Sequence, residues 1–109
     1  GGPWDMMKTL DGGAPVSVVR PAQKTDLSNP VAVRLYRNRE LMQDASTEFM
    51  IASPEELIAQ LSCFWELRAG DVIFTGAPVN VPDARIGDVF EGSVEGIGSL
   101  KVQIVSENN

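Results

Sequence analysis

Ser53-Pro54-Glu55-Glu56 is the clearest helix start in this chain: a hydroxyl for the N-cap, Pro at the first helical position, and Glu at the third to complete a capping box. Leu57, Ile58, Leu61, Phe64 and Trp65 follow at helical spacing, so one face of that helix is apolar and is expected to lie on a sheet. Elsewhere the chain is cut short repeatedly. Its 109 residues include 10 Gly and 7 Pro, and the runs between these breakers have strand length and β-branched content. The expectation is a mainly β domain with one short-to-medium helix, α+β in class, with residues 1–109 forming a single domain.

Residues 1–15 are rich in Gly and Pro and read as a loop that holds Lys8 and ends in Asp11-Gly12-Gly13-Ala14-Pro15. Val16-Ser17-Val18-Val19-Arg20 reads as a first strand stopped by Pro21. Val31, Val33 and Leu35 alternate with Ala32, Arg34 and Tyr36, and Arg37-Asn38-Arg39 turns the chain into Glu40-Leu41-Met42-Gln43-Asp44, a hairpin. Val72-Ile73-Phe74-Thr75 is a continuous apolar run consistent with a strand buried on both faces, stopped by Gly76-Ala77-Pro78. The stretch from Val79 to Gly87 reads as loop. Two further strands, Val89 to Glu95 and Leu100 to Val105, flank Gly96-Ile97-Gly98 as a second hairpin.

The chain has no histidine, which excludes the Ser-His-Asp and Cys-His nucleophile pairs and any imidazole base. A single cysteine, Cys63, excludes an internal disulfide framework and a cysteine-rich zinc site, and reads as a small apolar residue with an inert thiol. Fifteen acidic against nine basic residues give a net charge of −6, which argues against a nucleic-acid partner, since phosphate binding draws on clustered Lys and Arg. No apolar run approaches membrane-span length and no signal-peptide pattern opens the chain, so no membrane partner is expected and the expected location is cytoplasmic. The opening Gly1-Gly2-Pro3-Trp4 lacks an initiator Met, and the interior of a longer protein is the reading we favour.

Chemistry must then rest on carboxylates, lysine, hydroxyls or backbone groups. Taken from the residues alone, the candidates are Lys8, Asp11, Thr47, Thr75 and the scattered carboxylates. Lys8 is drawn out by its Gly-rich setting, and Thr75-Gly76 resembles a strand end where a ligand approaches the backbone. Glu91, Glu95, Asp83 and Asp88 show no metal-ligand spacing and read as solvated, while Glu55-Glu56 is accounted for by the helix start.

Six blocks, in order, carry a resemblance. They are Gly2-Pro3-Trp4 with Lys8-Thr9-Leu10-Asp11; Ala14-Pro15-Val16-Ser17; Met42-Gln43-Asp44 with Thr47; Met50-Ile51 with Ser53-Pro54; Gly70-Asp71-Val72-Ile73-Phe74-Thr75-Gly76-Ala77-Pro78; and Gly87-Asp88-Val89 with Glu95-Gly96-Ile97-Gly98-Ser99-Leu100. Together they resemble the C-terminal half of the fumarylacetoacetate hydrolase family, with the nearest likeness to its acylpyruvate and fumarylpyruvate hydrolase branch.

That resemblance implies layered mixed β-sheets with short helices, a homodimer, and a divalent cation, Mg2+ or Mn2+, which chelates a 2-oxo acid substrate and stabilises the enolate formed when a 2,4-diketo acid is cleaved. It implies a catalytic role for Lys8 and substrate contacts at Thr75, Gly76 and Ala77. The family's metal ligands, a Glu-x-Glu pair and an Asp, lie upstream of the Pro-Trp block, so no ligand falls within this chain and none of these ions is expected to bind it alone. The family's Thr-Gly-Thr-Pro is here Thr75-Gly76-Ala77-Pro78, without the second hydroxyl, and its Gly-Val-Gly is Asn80-Val81-Pro82. The leading expectation is the C-terminal portion of a hydrolase of acylpyruvate-type acids, incomplete without the N-terminal segment. Alternatives are a 2-oxo acid isomerase, hydratase or decarboxylase of the same family, a degenerate non-catalytic structural or dimerisation module, and an unrelated β-rich ligand-binding domain.

Overall fold

Strand formation follows the two hairpins expected from local signals. In the computed structural model, which describes residues 13–26, 28–79, 81 and 83–106, the first hairpin joins β1 (Ala32–Arg37) to β2 (Glu40–Ser46). The second joins β3 (Val89–Val94) to β4 (Gly98–Gln103). Antiparallel pairing of β1 with β3 fuses them into a four-stranded sheet of order β2-β1-β3-β4. Among the described residues the one α-helix, α1 (Pro54–Ser62), lies in the crossover from β2 to β3, and short 3-10 turns occupy Ala22–Lys24 and Thr47–Phe49. The described fold is thus mainly sheet with one α-helix, α+β as expected.

Alternation along the strands divides the sheet. Val33, Leu35, Val94, Leu100 and Val102 share one half-buried face, while Arg34, Asp44, Glu91 and Lys101 stand exposed on the other. Arg34 Nε donates to Asp44 Oδ1 at 3.1 Å across the β1–β2 pair. Gly92 sits opposite Leu35, and a Cβ there would lie 3.9 Å from Leu35 Cδ1, an ordinary van der Waals contact.

The β1–β2 turn is closed by Asn38 and Arg39, both left-handed at φ of 50° and 70°, the requirement of a tight hairpin of this hand. Asn38 does more than turn. Its N–H donates to Val89 O (2.8 Å), its Oδ1 accepts from Val89 N–H (2.9 Å), and its Nδ2 donates to Asp88 Oδ1 (2.9 Å). Asp88 also accepts from the Arg85 N–H through Oδ2 at 2.9 Å. One side chain therefore ties the first hairpin to the start of the second. The β3–β4 turn uses Gly96 at φ 74°.

Three expectations are corrected. The run Val16–Arg20 is extended but belongs to no strand, because no described segment offers it a hydrogen-bonding ladder; Val18 is 94% exposed, and Arg20 Nη1 to Gly96 O at 3.2 Å is a side-chain tether only. The run Val72–Thr75 is likewise not a strand and not buried on both faces: Val72 and Phe74 are exposed, and no ladder partner lies beside them among the described residues. The apolar face of α1 does not lie on the sheet. Leu57, Leu61, Phe64 and Trp65 instead form a cavity of about 490 Å³ with Ile73 and Phe74, and Phe64 remains 79% exposed. No described apolar side chain is fully buried. The helix start is as expected, with Ser53 Oγ accepting from the Glu56 N–H at 3.2 Å.

Two predictions follow from the Asn38 turn. Left-handed backbone costs a side-chain-bearing residue about 1–2 kcal/mol and Gly gives back about 0.5–1 kcal/mol in unfolded-state entropy, so Arg39→Gly should stabilise by about 0.5–1 kcal/mol in urea unfolding. Asn38→Gly should destabilise instead, since the carboxamide bonds are lost. The second concerns pH. The hydrogen bond from the Arg85 N–H, then that from Asn38, holds the Asp88 carboxyl below its ordinary 3.8. Its contribution to stability is therefore complete above that ordinary value and lost as pH falls through the lowered one. Asp88→Asn should flatten the acid limb of a stability-versus-pH curve; an unchanged limb would show that the bond does not persist in solution.

Candidate functional site

Gly76 sets the path of the segment that sequence analysis singled out. It takes φ 93°, a left-handed angle that side-chain-bearing residues rarely adopt, and a Cβ built on it would meet nothing within 4 Å. Glycine is required here by the backbone angle and not by a crowding neighbour. Thr75, Gly76 and Ala77 are all exposed, and no described residue accepts from the Gly76 or Ala77 N–H. The result is an open turn with free backbone donors, a form that suits an anionic or carbonyl ligand. Upstream the segment is anchored by Asp71, whose Oδ2 accepts from the Arg68 N–H (2.8 Å) while its own N–H donates to Arg68 O (3.1 Å).

Downstream, the Gln43 Nε2 donates to the Val79 carbonyl, joining this segment to β2. Gln43 also borders an open groove of about 730 Å³ on the half-buried sheet face. That groove runs under residues 17–21, with Val33, Leu35, Val94 and Leu100 as its floor and Arg20 and Lys24 at its rim. It does not include Thr75, Gly76 or Ala77. An apolar floor spanning β1, β3 and β4 is the uncovered side of a sheet, so the open turn at Gly76 remains the better candidate for chemistry.

The other candidates separate clearly. Lys8 and Asp11 lie outside the described residues. Thr47 is engaged in the fold: its Oγ1 accepts from the Val31 N–H at 3.0 Å while its own N–H donates to Val31 O at 3.0 Å, closing the end of the β1–β2 pair. Asp88, expected to be simply solvated, is the turn acceptor described above. Among the described residues no three His, Cys, Asp or Glu groups come together as a set that could hold a metal, so these residues do not fit the divalent cation that the resemblance implies. Also among them, no helix is long and apolar enough to cross a membrane. Gln43, in the Met42-Gln43-Asp44 block, carries no local signal of its role, because its partner Val79 lies 36 residues along the chain.

Comparison with known proteins follows the same blocks. The fumarylacetoacetate hydrolase C-terminal family matches residues 2–105. A fumarylpyruvate hydrolase of Ralstonia sp. is 33% identical over 104 residues, covering 95% of this chain and 54% of the relative. A bifunctional isomerase/decarboxylase of 4-hydroxyphenylacetate degradation from Escherichia coli is 38% identical over 102 residues, covering 93% of this chain and 24% of that protein. The crystal structure of a Burkholderia cenocepacia protein provisionally named a fumarylpyruvate hydrolase superposes with a TM-score of 0.88 at 33% identity, covering 96% of this chain and 47% of that one. The chain thus spans about half the length of the Ralstonia relative and of the Burkholderia structure.

If Thr47 serves the fold, Thr47→Val should leave the Val31 N–H without its acceptor and cost about 1–2 kcal/mol in chemical denaturation. A variant as stable as the parent would return Thr47 to the list of residues available for chemistry.

Proposed function

Because this chain belongs to the fumarylacetoacetate hydrolase family, we propose that residues 1–109 form one C-terminal portion of a hydrolase that cleaves a carbon–carbon bond in acylpyruvate-type 2,4-diketo acids. The observation that carries this reading is the match along nearly the whole chain to a protein named fumarylpyruvate hydrolase. Cleavage of such an acid adds water across the acyl carbonyl, and the electron pair of the broken bond passes to the oxo-acid fragment as an enolate, which then takes up a proton. Negative charge therefore grows at the oxo-acid end of the substrate. On this reading the Lys8 ammonium stands beside that charge and stabilises it more strongly in the transition state than in the bound acid. The turn at Thr75, Gly76 and Ala77 receives the substrate through its hydroxyl and its free backbone donors.

The Mg2+ or Mn2+ of this reading belongs to the complete protein, where it would act as a Lewis acid toward the oxo-acid end of the substrate. The complete protein is proposed to be a cytoplasmic homodimer. The half-open sheet face and the exposed Phe64 and Trp65 are the surfaces on which the rest of the full-length fold is proposed to pack. A second reading, isomerisation or decarboxylation of a 2-oxo acid, is favoured by two observations. Residue 77 is Ala, without the hydroxyl of the family's Thr-Gly-Thr-Pro, and the chain is also similar to a bifunctional isomerase/decarboxylase.

In the metal-replete full-length protein, Lys8→Met should retain the fold while kcat/KM on an acylpyruvate falls by about 10²-fold or more, the scale of one lost electrostatic stabiliser. Ala77→Thr should raise activity on the same acid. If Lys8→Met leaves kcat/KM unchanged, the catalytic assignment of Lys8 fails; if the unsubstituted full-length protein shows no turnover, a non-catalytic module becomes the better description.

A further inference from the structure

Gln43 stands where a polar side chain is least expected. In register it lies opposite Leu35, and Leu35 in turn faces Gly92, which faces Leu100, so the carboxamide ends an otherwise apolar row. The face is half-buried and open, so the partly exposed carboxamide can bond either water or protein. Its partner is the Val79 carbonyl, 36 residues away in sequence. The register of the hairpin shifts between Leu35 and Tyr36: Leu35 pairs with Gln43, and Tyr36 with Leu41, leaving Met42 as the extra residue. A bulge of this kind re-aims the side chains beside it, and Gln43 is the neighbour that reaches across to the loop.

The carbonyl it holds is well placed to act at a distance. Val79 follows Pro78, whose ring fixes its own φ and restricts Ala77 before it to extended angles. Ala77 in turn follows Gly76, the left-handed residue. Holding Val79 therefore limits the orientation of the whole open turn relative to β2. Among the described residues this is the one side-chain hydrogen bond between the sheet and residues 71–79. The partner is a carbonyl oxygen, which only accepts, so the side chain at 43 has to supply a donor, here the carboxamide N–H.

We propose that Gln43 is a positioning residue: its carboxamide holds the Thr75–Ala77 turn in the orientation that receives the oxo-acid substrate. This rests on the proposed function of that turn. Gln43 touches no reacting atom, and its effect is carried through Val79.

The test uses the full-length protein. Gln43→Met keeps the length of the side chain without a donor, Gln43→Glu replaces the donor with a repelled acceptor, and Gln43→Lys restores a donor. Gln43→Met and Gln43→Glu are expected to raise KM for an acylpyruvate about tenfold with kcat within about threefold of wild type, and Gln43→Lys to recover most of the loss. Amide order parameters from nitrogen-15 relaxation should fall at Gly76 and Ala77 in Gln43→Met, with those of β1 to β4 unchanged. Unchanged order parameters in the turn overturn the proposal, as does loss of order throughout the sheet, which would make Gln43 a residue of general stability. If the turn loosens as expected but the wild-type protein cleaves no acylpyruvate, the positioning role stands and the substrate assignment is the part that fails.

Discussion

Everything described in this molecule hangs on β1, one of the two central strands hydrogen-bonded along both edges and the one that joins the two hairpins. Its pairing with β2 is local, closed by a two-residue turn. Its pairing with β3 spans more than fifty residues of chain, the crossover that carries α1 and the Gly76 turn. Such a long-range pair pays a larger loop-closure entropy before any contact repays it. Asn38 is the device that offsets part of this cost, because the residue that turns the first hairpin also accepts and donates at Val89, where β3 begins. The turn and the long-range register are therefore one structural decision.

The elements legible in the sequence are those whose determinants are neighbours along the chain. The helix start at Ser53, the turn at Asn38 and the turn at Gly96 each depend on a few consecutive residues, and all three stand where their residue types place them. Val16–Arg20 and Val72–Thr75 have equally good strand composition and are not strands, because a strand is defined by a ladder partner, and composition says nothing about where that partner lies. The misplaced face of α1 has the same origin. Helical spacing identifies an apolar stripe, but it does not identify what the stripe meets, and here it meets Ile73 and Phe74.

The candidate site divides along the same line. At Gly76 the break was legible, since Gly76-Ala77-Pro78 cannot continue an extended run, and Gly76 takes a left-handed φ of 93° although no strand precedes it. Gln43 was not, since its carboxamide is explained only by a carbonyl far along the chain. Thr47 was misleading for a related reason: a hydroxyl near a hairpin end looks chemically available until its partner, Val31, is known. Local chemistry proposes candidates, and long-range hydrogen bonds decide which of them are already employed.

The open space over Gly76 has a consequence for how this loop can vary. The left-handed angle bars side chains from position 76 although nothing crowds it, whereas Ala77, one residue on, is exposed and carries no such bar. Path and functional group are thus encoded at separate positions. The chain can exchange the chemical character presented at 77 while the trajectory written at 76 stays constant, so novelty at this turn is obtainable by single substitutions that leave the architecture untouched.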